Sequence, residues 1–401
     1  MNIIQFNTVD SGGAFQAANR LQNGLIQSSI SSKMLVLYKK KEQYQPNIIS
    51  YLENQSIFEQ IKHTIRFRFI QRKIDAQLKN KPNCQYRFPN CPFKIQEHKL
   101  VNQADIVHLH WMAKFLDYPT FFKSINKPVV WTLHDTNPFN GGFNYDCYAL
   151  PEYDELEKEV RTIKLKSIKQ AKDVHIISIS KWIHQLSSNS EIFGHLPHHY
   201  IPNGLDVNLF KPQNKQEARD KLQLPQDKKI ILFVAESIDD KRKGFSYLED
   251  ALVELNVDEV FLLTVGKSLN TSIPFPLKNL GFVNDEIEMA TVYAAADVFV
   301  VTSIEDNLPN TVMESIACGT PVVGFKVGGI PDMIQDGVNG FLVEKGDSIK
   351  LAQKINELLN HSDLQNQMQT HARQIAVQNF NQELQVKRHV ELYREIISIH
   401  K

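Results

Sequence analysis

Asp306 and Glu314, separated by Asn307-Leu-Pro-Asn-Thr-Val-Met313, are the side chains in this sequence best spaced for chemistry. The apolar run Asp297-Val-Phe-Val-Val-Thr302 ahead of them reads as a buried strand, and Asn310 to Cys318 reads as a helix with Pro309 at its entry and Gly319 at its exit. A strand tip that feeds a helix start presents backbone N–H groups and the positive end of the helix dipole, which suits a phosphate. A glutamate about one turn into that helix can hydrogen-bond the hydroxyls of a sugar or ribose. An ordinary alternative stands beside this: Asp306 capping a turn ahead of a proline, and Glu314 a solvated helix residue.

A second cluster, Lys241-Arg-Lys243 before Gly244, follows the apolar run Lys229 to Ala235. Fixed cations past a strand tip stabilise the charge that grows on a diphosphate as it leaves. The competing reading is a solvated turn that balances Asp239 and Asp240. Near the start, Asp10-Ser-Gly-Gly-Ala-Phe15 lies between a strand, Asn2 to Asn7, and a helix containing Gln16 to Leu25, so Gly12 and Gly13 allow close backbone approach to an anion or sugar. The full dinucleotide glycine fingerprint is absent, which disfavours hydride transfer. His134 falls at the carboxyl end of the run Val129 to Leu133, as a site residue or as a packed one. The loop Asn137 to Cys147 is polar, Gly-rich and aromatic, of a kind that contacts ligands or simply covers surface. His108 and His110 alternate on a strand and share a face, which invites a metal, but no third ligand has suitable local spacing, and no metal site is assigned.

These residues need parallel sheets to hold them. Apolar runs at Asn2–Asn7, Lys33–Tyr38, Asp105–His110, Pro128–Leu133 and Val174–Ser180, then at Lys229–Ala235, Glu259–Gly266, Asp297–Thr302 and Pro321–Phe325, alternate with amphipathic helices. That order predicts an α/β chain of two Rossmann-like, doubly wound parallel-sheet domains, with ligands beyond the carboxyl ends of the strands. The 401 residues exceed one core, and Pro and Gly punctuate Tyr200 to Pro212, so the expected division is 1–200, 201–380 and a last helix over 381–401. Lys plus Arg equals Asp plus Glu at 45 each, which argues neither for nucleic acid nor for general attraction to an anionic membrane, and no nucleic-acid partner is expected. Cys84, Cys91, Cys147 and Cys318 lack metal-ligand spacing and read as thiols of a reducing cytoplasm. No window approaches the roughly 18 uninterrupted apolar residues of a spanning helix. Residues 57–81 interleave Phe58, Ile61, Ile65, Phe69 and Ile70 with Lys62, Arg66, Arg68, Arg72 and Lys73, either as peripheral membrane contact or as a helix packed on the sheet.

The stretch Glu314-Ser-Ile-Ala-Cys-Gly-Thr-Pro-Val-Val-Gly324, with Gly328-Gly329, Asp336-Gly-Val-Asn-Gly340, Ile201-Pro-Asn-Gly-Leu-Asp206 and Tyr293-Ala-Ala-Ala-Asp-Val-Phe299, resembles the retaining GT-B glycosyltransferases of family 4, the glycosyl transferases group 1. Landmarks of this kind run from about Gly12 to Val343. Two positions depart from the pattern: Asp306, beside Glu305, stands where the family usually has Glu, and the family's Gly-Arg is missing ahead of Lys243-Gly244, leaving Arg242 as the stand-in.

The resemblance implies GT-B architecture, with a last helix crossing back to the first domain and one cleft between domains. It implies a retaining transfer of a sugar from a nucleotide-sugar donor, UDP- or GDP-sugar first among them, to a hydroxyl of a glycan or lipid-linked acceptor in polysaccharide synthesis, without metal or other cofactor. By the same resemblance Glu314 holds the ribose and Asp306 or Glu305 the donor sugar. Lys243, Arg242 and the backbone at Asn310 and Thr311 take the diphosphate, and His134, Gly12 and Gly13 contribute from the first domain. A front-face route is implied, since no carboxylate pair is assigned as nucleophile and acid. The alternatives are an epimerase-like GT-B enzyme and a non-catalytic sugar-nucleotide-binding protein.

Overall fold

The structure is a computed structural model, and it describes residues 1–39, 46–53, 61, 64–70, 72, 76, 86–267, 273 and 275–399. Most of the basic segment 57–81, and Cys84, lie outside the described residues. The chain divides into two units, Met1–Ile201 with Gln385–Lys401, and Pro202–Leu384.

Runs of Val, Ile, Leu and Phe with both faces covered favour parallel strands, because the helices that connect such strands must lie on the sheet faces. Among its described residues the first unit has seven strands: β1 (Asn2–Val9), β2 (Ser31–Tyr38), β3 (Ile48–Ser50), β4 (Ile106–Leu109), β5 (Val129–Leu133), β6 (Val174–Ser178) and β7 (His198–Tyr200). They pair in parallel in the order β3-β2-β1-β4-β5-β6-β7. The second unit has β8 (Lys229–Ser237), β9 (Val260–Lys267), β10 (Leu277–Asn279), β11 (Val298–Val301), β12 (Val322–Phe325) and β13 (Gly340–Val343), parallel in the order β10-β9-β8-β11-β12-β13. The expected α/β class and doubly wound sheets are both present. The strand ends differ from the sequence reading by a residue or two. The helix after β1 spans Gly13–Gln27, the one after β11 spans Asn310–Ala317, and the last spans Gln382–Ile399. Among the described residues no helix is long and apolar enough to cross a membrane. Cys91 and Cys318 are buried free thiols.

The last helix joins the first unit through one stripe. Val386, Val390, Tyr393 and Ile396 recur at helical spacing and bury against Ile3, Leu21, Leu25, Ile106, Val130 and Ile177. A layer of imidazoles lies in the same region. His108 is hydrogen-bonded through Nδ1 to the Tyr393 hydroxyl (2.6 Å) and through Nε2 to Thr132 Oγ1 (2.7 Å). Its ring lies 4.2 Å from that of His110 and 5.7 Å from that of His389. His389 donates from Nδ1 to the Gln385 carbonyl (2.8 Å), while its Nε2 is buried with no hydrogen-bond partner among the described residues. The shared face of His108 and His110 is therefore committed to hydrogen bonds with protein side chains.

Burial holds His389 neutral, its imidazole pushed down to about 4. His108 and His110 are pushed well below the usual histidine range by burial first, and then by neighbouring imidazoles, His389 and His134 at His108, and His108, His134 and His389 at His110. A histidine whose folded value is depressed leaves stability intact above its unfolded value near 6.5 and costs stability as pH falls toward 4. All three tryptophans, Trp111, Trp131 and Trp182, lie in the first unit, so their fluorescence follows its unfolding alone. Urea unfolding read this way is expected to weaken between pH 6.5 and 4.5, and His389→Leu to flatten that slope by on the order of 2 kcal/mol. An unchanged slope in His389→Leu would contradict this account.

Candidate functional site

In the second unit the turn after β8 and the loop after β11 meet. Lys241–Lys243 form one short 3-10 turn capped by Asp240, whose side chain accepts from the Arg242 N–H, and Gly244 closes it at φ 67. A Cβ on Gly244 would come within 2.1 Å of the Thr302 carbonyl, so the close approach of the two loops requires glycine there. The loops are then stitched by three hydrogen bonds: Ile304 N–H to the Arg242 carbonyl (2.8 Å), Thr302 Oγ1 to the Lys243 carbonyl (3.1 Å), and Arg242 Nη1 to the Glu305 carbonyl (3.0 Å).

Asp306 lies at the centre. Its Oδ2 takes Lys243 Nζ at 2.6 Å, Arg242 Nη1 at 3.1 Å and Ser303 Oγ at 3.3 Å, and its Oδ1 accepts from the Asn307 N–H at 3.1 Å. It does not cap the Asn310–Ala317 helix, whose cap is Pro309 with no side-chain bond. Burial alone would raise the Asp306 carboxyl, but the charges of Lys243 and Arg242 more than offset this and hold it at about 2. Burial draws the Lys243 ammonium below the usual lysine range even though Asp306 pulls it up. Gly328, at φ 54, lets the next loop approach: a Cβ there would stand 1.7 Å from the Asp306 carbonyl oxygen. Arg242 and Lys243 thus lie together on Asp306, half-buried, whereas Lys241 is exposed.

Glu314 is buried at 5% exposure rather than solvated, and its Oε2 accepts from the Tyr293 hydroxyl at 3.0 Å. Sequence reading missed that pairing, although Tyr293 belongs to the stretch leading into β11. Asn310 and Thr311 open the helix and are half-buried, at the end where backbone N–H groups lack intrahelical acceptors. Glu305 meets the cluster through its carbonyl. The structure brings Arg242, Lys243, Asp306 and the Glu305 backbone together, with the Asn310 helix start a few residues on.

In the first unit Gly12 caps and Gly13 begins the Gly13–Gln27 helix, and the Gln16 N–H bonds the Gly12 carbonyl at 3.0 Å. His134 follows β5 directly, and its Nε2 lies 3.2 Å from His110 Nδ1. Since His110 Nε2 meets Gln5 Oε1 at 2.8 Å and must donate there, His110 Nδ1 is the acceptor and His134 Nε2 carries the proton. His134 Nδ1 is then an acceptor nitrogen, and burial lowers the imidazole to about 4, so the ring is neutral at pH 7. The loop after His134 is held by the buried Lys164 ammonium, which donates to the carbonyls of Asn137 and Gly141. Sequence reading gave no hint of that lysine.

The Asp306 hub carries a pH signature. A carboxylate held at about 2 contributes stability that is complete above its unfolded value near 3.9 and is lost as pH falls through 2. Asp306→Asn is expected to cost the second unit about 2–3 kcal/mol at pH 7, and this cost should vanish by about pH 2. Calorimetric unfolding of both proteins across that range checks it; a cost independent of pH would show that the carboxylate charge is not what holds the loops.

Residues 214–375 match the family model described as glycosyl transferases group 1. A curated relative, the D-inositol 3-phosphate glycosyltransferase of Streptosporangium roseum, is 27% identical over 274 residues, covering 61% of this chain and 58% of the relative. The chain thus matches a little over half the length of that protein. Among solved structures, the sucrose-phosphate synthase of Thermosynechococcus elongatus superposes with a TM-score of 0.73 at 19% identity, covering 99% of both chains. Anabaena HepE in complex with UDP and glucose does so with a TM-score of 0.70 at 20% identity, covering 98% of this chain and 99% of that one. These two share the fold. Residues 214–375, within the second unit, are thus similar to the glycosyl transferases group 1, and the chain shares the GT-B fold of these structures.

Proposed function

We propose that the protein transfers a sugar from a nucleotide-sugar donor to a hydroxyl of an acceptor, with retention at the anomeric carbon. The observation that carries this is the preformed pair of cations, Arg242 and Lys243, locked on the Asp306 carboxylate, in the same unit as a helix start and the buried, Tyr293-bonded Glu314. Cations already oriented cost no reorganisation when charge develops on a leaving diphosphate. Glu314 would accept hydrogen bonds from the ribose diol, the backbone N–H groups at Asn310 and Thr311 would hold phosphate oxygens, and the carboxylates of Asp306 and Glu305 would meet donor-sugar hydroxyls. The relative HepE is described in complex with UDP, which supports a uridine donor as the first to test.

In the proposed reaction the acceptor oxygen bonds to the anomeric carbon on the face from which the diphosphate departs. The glycosidic C–O bond breaks, its electron pair stays on the phosphate oxygen, and that oxygen takes the acceptor's proton. The chain's residues stabilise the phosphate, and no metal is part of the proposal. His134, neutral and presenting an acceptor nitrogen, would orient a hydroxyl, with Gly12 and Gly13 offering backbone beside it. A glycan or lipid-linked acceptor, a role in polysaccharide synthesis and a cytoplasmic location belong to the same proposal.

Thermal unfolding with UDP-, GDP-, ADP- and dTDP-sugars tests it directly. One nucleotide class should raise Tm by several degrees, and Glu314→Ala should remove most of that shift. With that donor, Lys243→Ala should lower kcat by about 10²-fold or more. No shift with any nucleotide would sink the transferase reading; donor turnover without an acceptor would point to isomerisation, and binding without turnover, untouched by Lys243→Ala, to a binding protein.

A further inference from the structure

Ser32, Gln22, Gln5, His110 and His134 form one row of hydrogen-bonded side chains through the first unit. They come from β2, the Gly13–Gln27 helix, β1, and the residues that directly follow β4 and β5. Gln5 is 0% exposed and Gln22 1%, and Ser32 and His110 are buried with them. At that depth no water replaces a lost partner, so each group must point its donors at acceptors.

The direction of the row starts at a group that cannot turn. Gln22 Nε2 donates to the backbone carbonyl of Ser32 at 2.9 Å and, at 3.4 Å, to that of Asn47. A carbonyl oxygen only accepts, so the Gln22 amide nitrogen must face these two and its Oε1 must face the other way. There Oε1 accepts from the Ser32 hydroxyl (2.5 Å) and from Gln5 Nε2. Gln5 Nε2 donates its second N–H to Ser32 Oγ (3.0 Å), so both Gln5 donors are used and its Oε1 is turned to His110 Nε2, 2.8 Å away. His110 Nε2 therefore carries a proton, His110 Nδ1 accepts, and His134 Nε2 donates to it at 3.2 Å.

The proton of the neutral His134 ring is thereby assigned to Nε2 and its lone pair to Nδ1, four hydrogen bonds away from the Ser32 carbonyl. A full reversal would require that carbonyl to donate. A partial reversal would set two donors or two acceptors face to face in a dry layer. Bonds that run in one sense also polarise one another, which makes His134 Nδ1 the stronger acceptor.

We propose that Gln5 and Gln22 are positioning residues that act through His110 on His134. They fix its proton on Nε2, so a group that meets Nδ1 must bring a proton, as a hydroxyl does and a carbonyl oxygen does not. Carrying this over to substrate rests on the transferase reading; the place of the proton does not.

Nitrogen-15 spectra of the full chain, labelled at histidine, locate the protons at pH 7, with His134→Gln identifying the His134 signals. The expected wild-type spectrum shows one tautomer, protonated at Nε2 and bare at Nδ1, for both His110 and His134. Gln5→Met keeps the volume but removes the acceptor for His110 Nε2–H. His110 should then move its proton to Nδ1, and His134 should follow to its own Nδ1. Gln22→Met lets the Gln5 amide reverse, and should divide His134 between both tautomers although residue 22 bonds neither imidazole. Gln22→Glu keeps an acceptor toward Gln5 and, when protonated, a donor toward the Ser32 carbonyl, so it should restore the single tautomer. With a nucleotide sugar that is turned over, Gln22→Met should lower kcat/KM about five- to tenfold and Gln22→Glu should recover it. Wild-type His134 protonated on Nδ1 or divided between tautomers would overturn the proposal. So would a Gln22→Met spectrum equal to wild type, a result that decides even where Gln5→Met fails to fold. The expected spectra together with no turnover of any nucleotide sugar would leave the row standing and count against the transferase reading alone.

Discussion

One carboxylate organises the second unit's candidate site. Asp306 is buried between two cations, and without it Lys243 would lose the carboxylate at 2.6 Å and Arg242 would keep only the longer, 4.0 Å approach of Asp240. Removing one partner of such a cluster leaves an uncompensated charge, which is far costlier than the net worth of the intact pair. The loop stitching therefore depends on Asp306, and so does the geometry in which Arg242 and Lys243 are presented. Gly244 and Gly328 follow from the same constraint, because each removes the Cβ that would keep neighbouring backbone away from that hub.

The first unit reaches rigidity by a different route. The layer beneath its last helix is built from neutral groups: imidazoles, amides and hydroxyls pass hydrogen bonds from Gln5 through His110 to His134, and from Thr132 through His108 to Tyr393. Neutral partners in a dry layer avoid the desolvation cost of ions and still fix side-chain directions. The hydrogen bond to Tyr393 also specifies where the last helix docks, a job that an apolar stripe alone does loosely. The two units thus solve different problems. The cluster around Asp306 keeps ions, and the layer around His108 keeps neutral donors and acceptors.

Much of this was legible in the sequence. Strands such as β1, β5, β8 and β11 are mostly or wholly buried, so their runs of Val, Ile, Leu and Phe announce them. The strands β3, β7, β10 and β13 were not read, and three of them span only three residues, with polar sequences such as His198-His-Tyr200 and Leu277-Lys-Asn279. Such edges exist because a neighbour offers a ladder, which no local pattern records. The positions of Lys243, Asp306 and Glu314 were found from spacing and resemblance. What could not be read was that Lys243 and Asp306, 63 residues apart, are each other's partner, or that His108 meets Tyr393 across 285 residues. Long-range pairing of single polar side chains leaves no periodic trace.

The partnership between Asp306 and its cations also bears on how a donor would be bound. Two bare cations would hold a diphosphate tightly in ground state and product alike, which lowers KM but slows release and does nothing for the barrier. A carboxylate already resting on Lys243 and Arg242 offsets part of their field while keeping their N–H groups aimed. Attraction to the resting diphosphate is then moderated, and it strengthens as the leaving oxygen gains charge. Asp306 is shorter than the glutamate usual at this place, and that brings the carboxylate down onto the cations.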